Sequence, residues 1–250
     1  MNLVKVKNHE EMSENACRII MNKVSSLSSP VLGLATGSTP ERLYELLIKE
    51  YERKSITFSH VTTFNLDEYV GLGETHSNSY RYFMDHHLFK KIDIPKSRTH
   101  VPNGTGGDLK RECHYYEELI ENVGGIDLQI LGLGLNGHIG FNEPGTPFSA
   151  KTHIVDLDFS TRKANARFFR SVKEVPTQAI TMGIETILRS KQILLLVSGE
   201  QKSEALQRLL DGEVSEEFPA SVLRNHPNVT IIADAAAVGM PGTSRNLSTR

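Results

Sequence analysis

Asn136, His138 and Glu143 stand close together in the stretch LGLGLNGHIGFNEPG, residues 131–145. An imidazole flanked by an amide and a carboxylate suits proton transfer, because such partners orient the ring and stabilise its charged form. The same stretch carries Gly132, Gly134 and Gly137 in a G-x-G-x-x-G pattern after an apolar run. That pattern binds a dinucleotide only where a helix opens within it, since the pyrophosphate sits on the helix N-terminus. Here Gly140, Pro144, Gly145 and Pro147 follow. Glycine and proline at this density do not build that helix. Asp156 falls at a ribose-binding distance, but it does not supply the helix. The stretch is therefore expected to be a structured loop. One His and one Glu at this spacing are too few for a metal site.

Three other places could do chemistry. In GLATGSTPERLYELL, Thr36, Gly37, Ser38 and Thr39 precede a helix expected to open at Pro40. Free backbone N–H groups at a helix start favour an anion. The G-K-[ST] ending of a nucleotide-binding loop is missing, so a simple phosphate ester fits better than a nucleoside triphosphate. Taken alone, Ser38 or Thr39 reads equally well as an N-cap. In TTFNLDEYVGL, Asp67 and Glu68 close a β-rich run. Neighbours on a strand point to opposite faces, so at most one of the two faces a given cleft. Taken alone, the pair reads first as a solvated or helix-capping acid. Finally, Arg162 and Arg167 in STRKANARFF and Lys202 in SGEQKSEAL are candidate phosphate clamps.

These residues need a scaffold. Short apolar runs (VLGLA, IDLQILGLG, QILLLVSG, NVTIIADAAA) alternate with amphipathic stretches. HEEMSENACRIIMNKVSSL, TPERLYELLIKEYERK, SYRYFMDHHLFKKI, DLKRECHYYEELIENV with Asp108 as N-cap, TQAITMGIETILRS and EQKSEALQRLLDGE all read as helices. Alternation of this kind predicts an α/β fold, an open, doubly wound, Rossmann-like and mostly parallel sheet with helices on both faces. Ligands in such sheets sit at the carboxyl ends of the strands, where all four candidate places fall. The expectation is one domain over residues 1–250, with a loosely ordered tail over 241–250 and surface turns at 102–108 and 212–221.

A net charge of −2 over 250 residues gives no footprint for nucleic acid. No apolar run approaches a membrane span, and the first residues lack the apolar core of a signal peptide. Cys17 and Cys113 have no zinc or redox spacing and read as reduced thiols. A cytoplasmic protein acting on a small molecule is expected.

Together, GLATGSTPERLY, FNLDEYVGL, GLNGHIGFNEPG, STRKANARFF and SGEQKSEAL resemble the glucosamine-6-phosphate deaminase (isomerase) family along nearly the whole chain. The resemblance implies conversion of glucosamine 6-phosphate and water to fructose 6-phosphate and ammonia, without metal or organic cofactor. It implies Asp67 as the base moving a proton between C2 and C1. His138 would be the ring-opening acid/base, with Glu143 and Asn136 as its partners. Thr36, Gly37, Ser38 and Thr39 would cradle phosphate, with Arg167 and Lys202 completing that site and a moving lid near 157–177. Asn136 stands where some members carry Asp. Some members are hexamers activated by N-acetylglucosamine 6-phosphate; here His153 and Val155 occupy positions aligned to their basic effector pair, so that activation is expected to be absent. Oligomeric state is left open. The alternatives are a 6-phosphogluconolactonase, which shares fold and glycine-histidine loop but not the N-E-P continuation, and a non-catalytic sugar-phosphate sensor.

Overall fold

The computed structural model describes residues 1–166 and 169–239. Its centre is a seven-stranded sheet in the order β1-β10-β9-β6-β2-β3-β5. These strands are β1 (Asn2–Val6), β2 (Val31–Leu34), β3 (Thr62–Asn65), β5 (Thr99–His100), β6 (Leu128–Gly132), β9 (Ile193–Val197) and β10 (Val229–Asp234). Every pairing in this sheet is parallel. The expected α/β architecture is what the chain adopts.

Period-two alternation in buried strands feeds two cores, one on each face. Leu32, Leu34, Leu128, Ile130, Leu194 and Leu196 face one side. There they meet α1 (His9–Ser26), α2 (Ser38–Glu52) and α3 (Tyr80–His87) through Met12, Ile20, Leu43, Leu47 and Met84. Val31, Phe64, Leu131, Ile193, Leu195 and Val197 face the other side. They meet α4 (Leu109–Asn122) through Tyr116 and Ile120, and α7 (Ser203–Asp211) through Leu206 and Leu209. Asp108 caps α4 as expected, accepting from the Arg111 N–H at 3.0 Å.

Two expectations fail. TQAITMGIETILRS does not form one helix: Gln178–Thr181 is strand β8, and only Ile184–Leu188 is helical (α6). Strand β8 is the middle of a second, antiparallel sheet, β4-β8-β7, with β4 at Asp67–Tyr69 and β7 at His153–Asp156. Ala179, Ile180, Thr181 and Met182 are all buried, and a continuous buried run carries no period that separates strand from helix. The segment 212–221 is not a simple surface turn either, because Phe218, Pro219, Ala220 and Ser221 are buried in a 3-10 stretch. Between β7 and β8 runs α5 (Phe159–Asn165). The tail expected to be loose, 241–250, lies outside the described residues. Among the described residues no helix is long and apolar enough to cross a membrane.

Candidate active site

The strand order reverses between β2 and β6: the chain runs outward from β2 to β3 and β5, and outward the other way from β6 to β9 and β10. In an open parallel sheet that reversal leaves a crevice at the carboxyl ends. The four loops leaving β3, β2, β6 and β9 carry Asp67, Thr36–Thr39, Asn136–Glu143 and Lys202 respectively. Asp67, Thr36–Thr39, the Asn136–Glu143 stretch and Lys202 thus share one edge of the sheet, whereas Arg162 lies on α5, between β7 and β8.

The loop after β6 turns back sharply, with Gly137 and Gly140 at φ of 87° and 60°. The His138 ring lies over Gly134, where a Cβ would meet the imidazole at 2.3 Å. That close approach accounts for one glycine of the pattern without any pyrophosphate, and no helix follows until α5. The Asn136 amide is oriented by its neighbours. Its Oδ1 accepts from the His138 backbone N–H at 3.2 Å, and its Nδ2 donates to Glu143 Oε2 at 2.7 Å. Oδ1 also lies 2.7 Å from His138 Nδ1. An amide oxygen only accepts, so Nδ1 carries the proton and neutral His138 presents Nε2 as its acceptor. Glu143 Oε2 is 3.7 Å from Nδ1. Burial pushes the His138 imidazole below its usual range; the Glu143 carboxylate opposes this, and the Lys202 ammonium adds to it.

Asp67 and Glu68 separate as alternate strand residues must. Glu68 turns to the start of α3 and accepts from the backbone N–H groups of Tyr69, Tyr80 and Arg81 at 2.8–2.9 Å. Burial still lifts its carboxyl to about 7, against the pull of those donors. Asp67 faces the other way. Its Oδ2 lies 3.7 Å from where a Cβ on Gly140 would stand, so the β4 acid and the histidine loop meet there. Asp67 pairs across the small sheet with Thr181, whose hydroxyl accepts from the Phe141 N–H at 3.1 Å. Among the described residues the Asp67 carboxylate has no hydrogen-bond donor within reach. Burial, reinforced by the negative Glu68, pushes its pKa to about 8. An unbonded, buried carboxylate in a cleft is a strong base once ionised.

Helix α2 opens at Ser38 rather than at Pro40, on Gly37 in a left-handed conformation (φ 92°) with no side chain capping it. Among the described residues no side chain caps its first N–H groups, an arrangement that suits an anion, and the cap reading of Ser38 and Thr39 is not realised. Lys202 follows Gly199 (φ 96°) in a 3-10 turn, and its Nζ donates to the Leu133 carbonyl at 2.6 Å. Asp234 braces that turn, accepting from Ser198 Oγ at 2.5 Å and the Gly199 N–H at 3.1 Å. Arg162 is not aimed at a phosphate. Its guanidinium is spent on the Val172 and Val175 carbonyls at 3.0–3.3 Å. Arg167 lies outside the described residues. Among the described residues no group of three or more His, Cys, Asp or Glu side chains could hold a metal ion.

Residues 7–232 match the model of the family described as glucosamine-6-phosphate isomerases/6-phosphogluconolactonase. The chain belongs to this family. A glucosamine-6-phosphate deaminase of Oceanobacillus iheyensis is 58% identical over 238 residues, 95% of each chain. A solved structure of a monomeric glucosamine-6-phosphate deaminase superposes with a TM-score of 0.95 at 48% identity, over 96% of this chain and all of that one. The 6-phosphogluconolactonase of Trypanosoma brucei superposes at 0.78 with 18% identity, over 95% of this chain and 97% of that one, a likeness of fold alone.

Within this family frame, sequence reasoning missed several groups at the site. Thr161 on α5 donates its hydroxyl to Glu143 Oε1. Asn142, fully buried, donates to the Ile139 and Met182 carbonyls at 2.8 and 2.9 Å and pins the loop to β8. Phe218 packs under Gly137, and the Ala220 N–H donates to the Gly137 carbonyl at 2.8 Å. STRKANARFF contains Thr161, but its cations were the visible signal. Nothing in EEFPAS marks it as a prop for a distant loop.

Proposed function

We propose that this chain is a glucosamine-6-phosphate deaminase, forming fructose 6-phosphate and ammonia from glucosamine 6-phosphate and water. The observation that carries the reading is the meeting of Asp67, buried and without a hydrogen bond among the described residues, with the His138 loop at Gly140. A lone carboxylate at a strand end moves a proton; beside a histidine with a fixed tautomer, it can follow a ring-opening step. Relatives of that name at 58% identity over nearly the full chain support it.

The uncapped α2 start, Lys202 and Arg167 hold the phosphate. The closed sugar then presents its C1 hydroxyl to His138 Nε2. The imidazole takes that proton, and the ring oxygen receives one as the C1–O5 bond breaks. Glu143 stabilises the transient imidazolium, and the Asn136 carbonyl keeps the ring in plane. Ionised Asp67 removes the C2 proton as O1 takes one from solvent, giving an enolamine, and Asp67 then returns its proton to C1. The resulting C2 iminium adds water and expels ammonia, leaving the C2 ketone. The buried site gives each proton transfer a low-dielectric setting with few competing donors.

The reading includes a cytoplasmic location, in keeping with the buried free thiols of Cys17 and Cys113. It also includes hyperbolic kinetics unaffected by N-acetylglucosamine 6-phosphate, since His153 and Val155 on β7 stand at the positions aligned to the basic effector pair. A coupled assay of ammonia and fructose 6-phosphate tests the reaction. Hydrolysis of 6-phosphogluconolactone without ammonia release from glucosamine 6-phosphate would establish the lactonase instead. Tight substrate binding with no turnover would establish a sensor.

A further inference from the structure

Among the described residues Glu143 is held by one hydrogen-bond donor on each oxygen. Asn136 Nδ2 donates to Oε2, and the Thr161 hydroxyl donates to Oε1. The carboxylate side chain keeps only 13% of its exposure, and Thr161 is 6% exposed, so water competes little for either bond. The two donors come from different parts of the fold. Asn136 belongs to the same loop as Glu143, whereas Thr161 rides on α5, in the connection between β7 and β8. That connection is tied into one piece. Arg162, the next residue, clasps the Val172 and Val175 carbonyls. Phe169 packs edge-on against Tyr69 of β4 at 5.8 Å, two residues from Asp67. The position of α5 is thereby linked to the orientation of Glu143, and through Glu143 to His138.

We propose that Thr161 is a positioning residue for ring opening. By donating to Oε1 it locks the Glu143 carboxylate about its terminal torsion, so that Oε2 stays toward Asn136 and His138 Nδ1. A carboxylate with one anchored oxygen is free to turn about that torsion; one anchored at both oxygens is not. The acid/base pair is thus complete only when α5 is docked over the site. Thr161 acts through Glu143 and touches no sugar atom. The inference rests on the deaminase reading above.

The test compares Thr161→Val, which keeps shape and removes the donor, with Thr161→Ser, which keeps the donor and removes the methyl. Wild-type ammonia release from glucosamine 6-phosphate is measured first; its absence defeats the deaminase reading and leaves this comparison without a subject. With wild type active, Thr161→Val is expected to lower kcat roughly tenfold to a hundredfold, the loss attached to a hydrogen bond with a charged group. KM is expected to stay within about twofold of wild type. Thr161→Ser is expected to recover most of kcat. Wild-type kcat in Thr161→Val would overturn the proposal. So would equal impairment of both variants, which would assign the effect to methyl packing. A rise in KM with kcat preserved would assign it to substrate closure alone and overturn it as well.

Discussion

Replacing Asp67 by Asn is expected to stabilise the folded chain while abolishing its turnover, and the stabilisation should grow with pH. The carboxyl is pushed from its ordinary 3.8 to about 8 in the folded state, first by burial and then by Glu68. The sign follows from proton counting. Between those two values the unfolded chain ionises Asp67 and the folded chain does not, so the unfolded state binds fewer protons and stability falls as pH rises. The favourable contribution is complete below about 4 and is lost progressively up to about 8. Each pH unit in that window costs about 1.4 kcal/mol. Asn removes the titration but keeps the shape, and because Asp67 accepts no hydrogen bond from the described residues, the amide forfeits none of theirs. Comparing the variant with wild type at pH 5 and pH 7 cancels the constant cost of the amide. The difference should widen by about 3 kcal/mol between the two, or roughly 5–10 °C in Tm for a chain of this size. Thermal melts of both proteins across pH 5–8, with ammonia release assayed alongside, give the answer. A Tm difference that is flat or shrinks with pH would refute the burial argument. Wild-type turnover in Asp67→Asn would refute the base assignment.

The remaining expectations use the same geometry. The acid limb of kcat/KM should fall below about pH 8 as Asp67 takes up a proton, and Glu68→Gln should move it to lower pH by removing a like charge; a limb that stays put would show that Glu68 does not act on the base. Gly134→Ala should displace the His138 ring, which a Cβ would approach to 2.3 Å, lowering kcat by about a hundredfold or more with an unchanged circular dichroism spectrum; near-normal kcat would mean that the ring position is not critical. Asn136→Asp should raise the His138 pKa from its depressed position, because a second carboxylate beside Nδ1 favours the charged ring, and NMR titration of the imidazole would expose the opposite sign.

How much of this was legible in the sequence depends on how far apart the cooperating residues lie. Asp67, the Thr36–Thr39 turn, the histidine loop and Lys202 were legible because each follows an apolar run, and parallel strands bring such ends to one edge; STRKANARFF follows no such strand. The order of the strands, and hence which loops become neighbours, was not: β2 and β6 pair although almost a hundred residues separate them. The small antiparallel sheet was hidden for the same reason. Strands β4 and β7 are short, and β8 is buried on both sides, so its apolar run fits a helical template as well as a strand. Pairing, not local preference, makes Asp67–Tyr69 and Gln178–Thr181 extended: β4 and β8 meet across more than a hundred residues, and β7 lies on the other edge of β8.

That hidden sheet changes what the visible residues mean. Asp67 reads in the sequence as an acid that caps or solvates, and its neighbour Glu68 does cap, taking the Tyr80 and Arg81 N–H groups at α3 and that of Tyr69 beside it. The division of labour between two adjacent carboxylates is set by strand alternation, which sends one to a helix start and the other into the cleft. Strand β8 then holds Asp67 from one side and Phe141 of the histidine loop through Thr181, while β7, on its other edge, launches α5 toward Glu143. Asp67, the His138 loop and the α5 segment are therefore ordered about one short strand. Ala179→Gly, which loosens the cluster that β8 shares with Tyr69, Phe141 and Leu157, should accordingly impair ring opening and C2 proton transfer together, measured as parallel losses in ammonia release and, with ammonium present, in deuterium exchange at C1 of fructose 6-phosphate. Loss of one with the other intact would mean that the two steps are positioned independently.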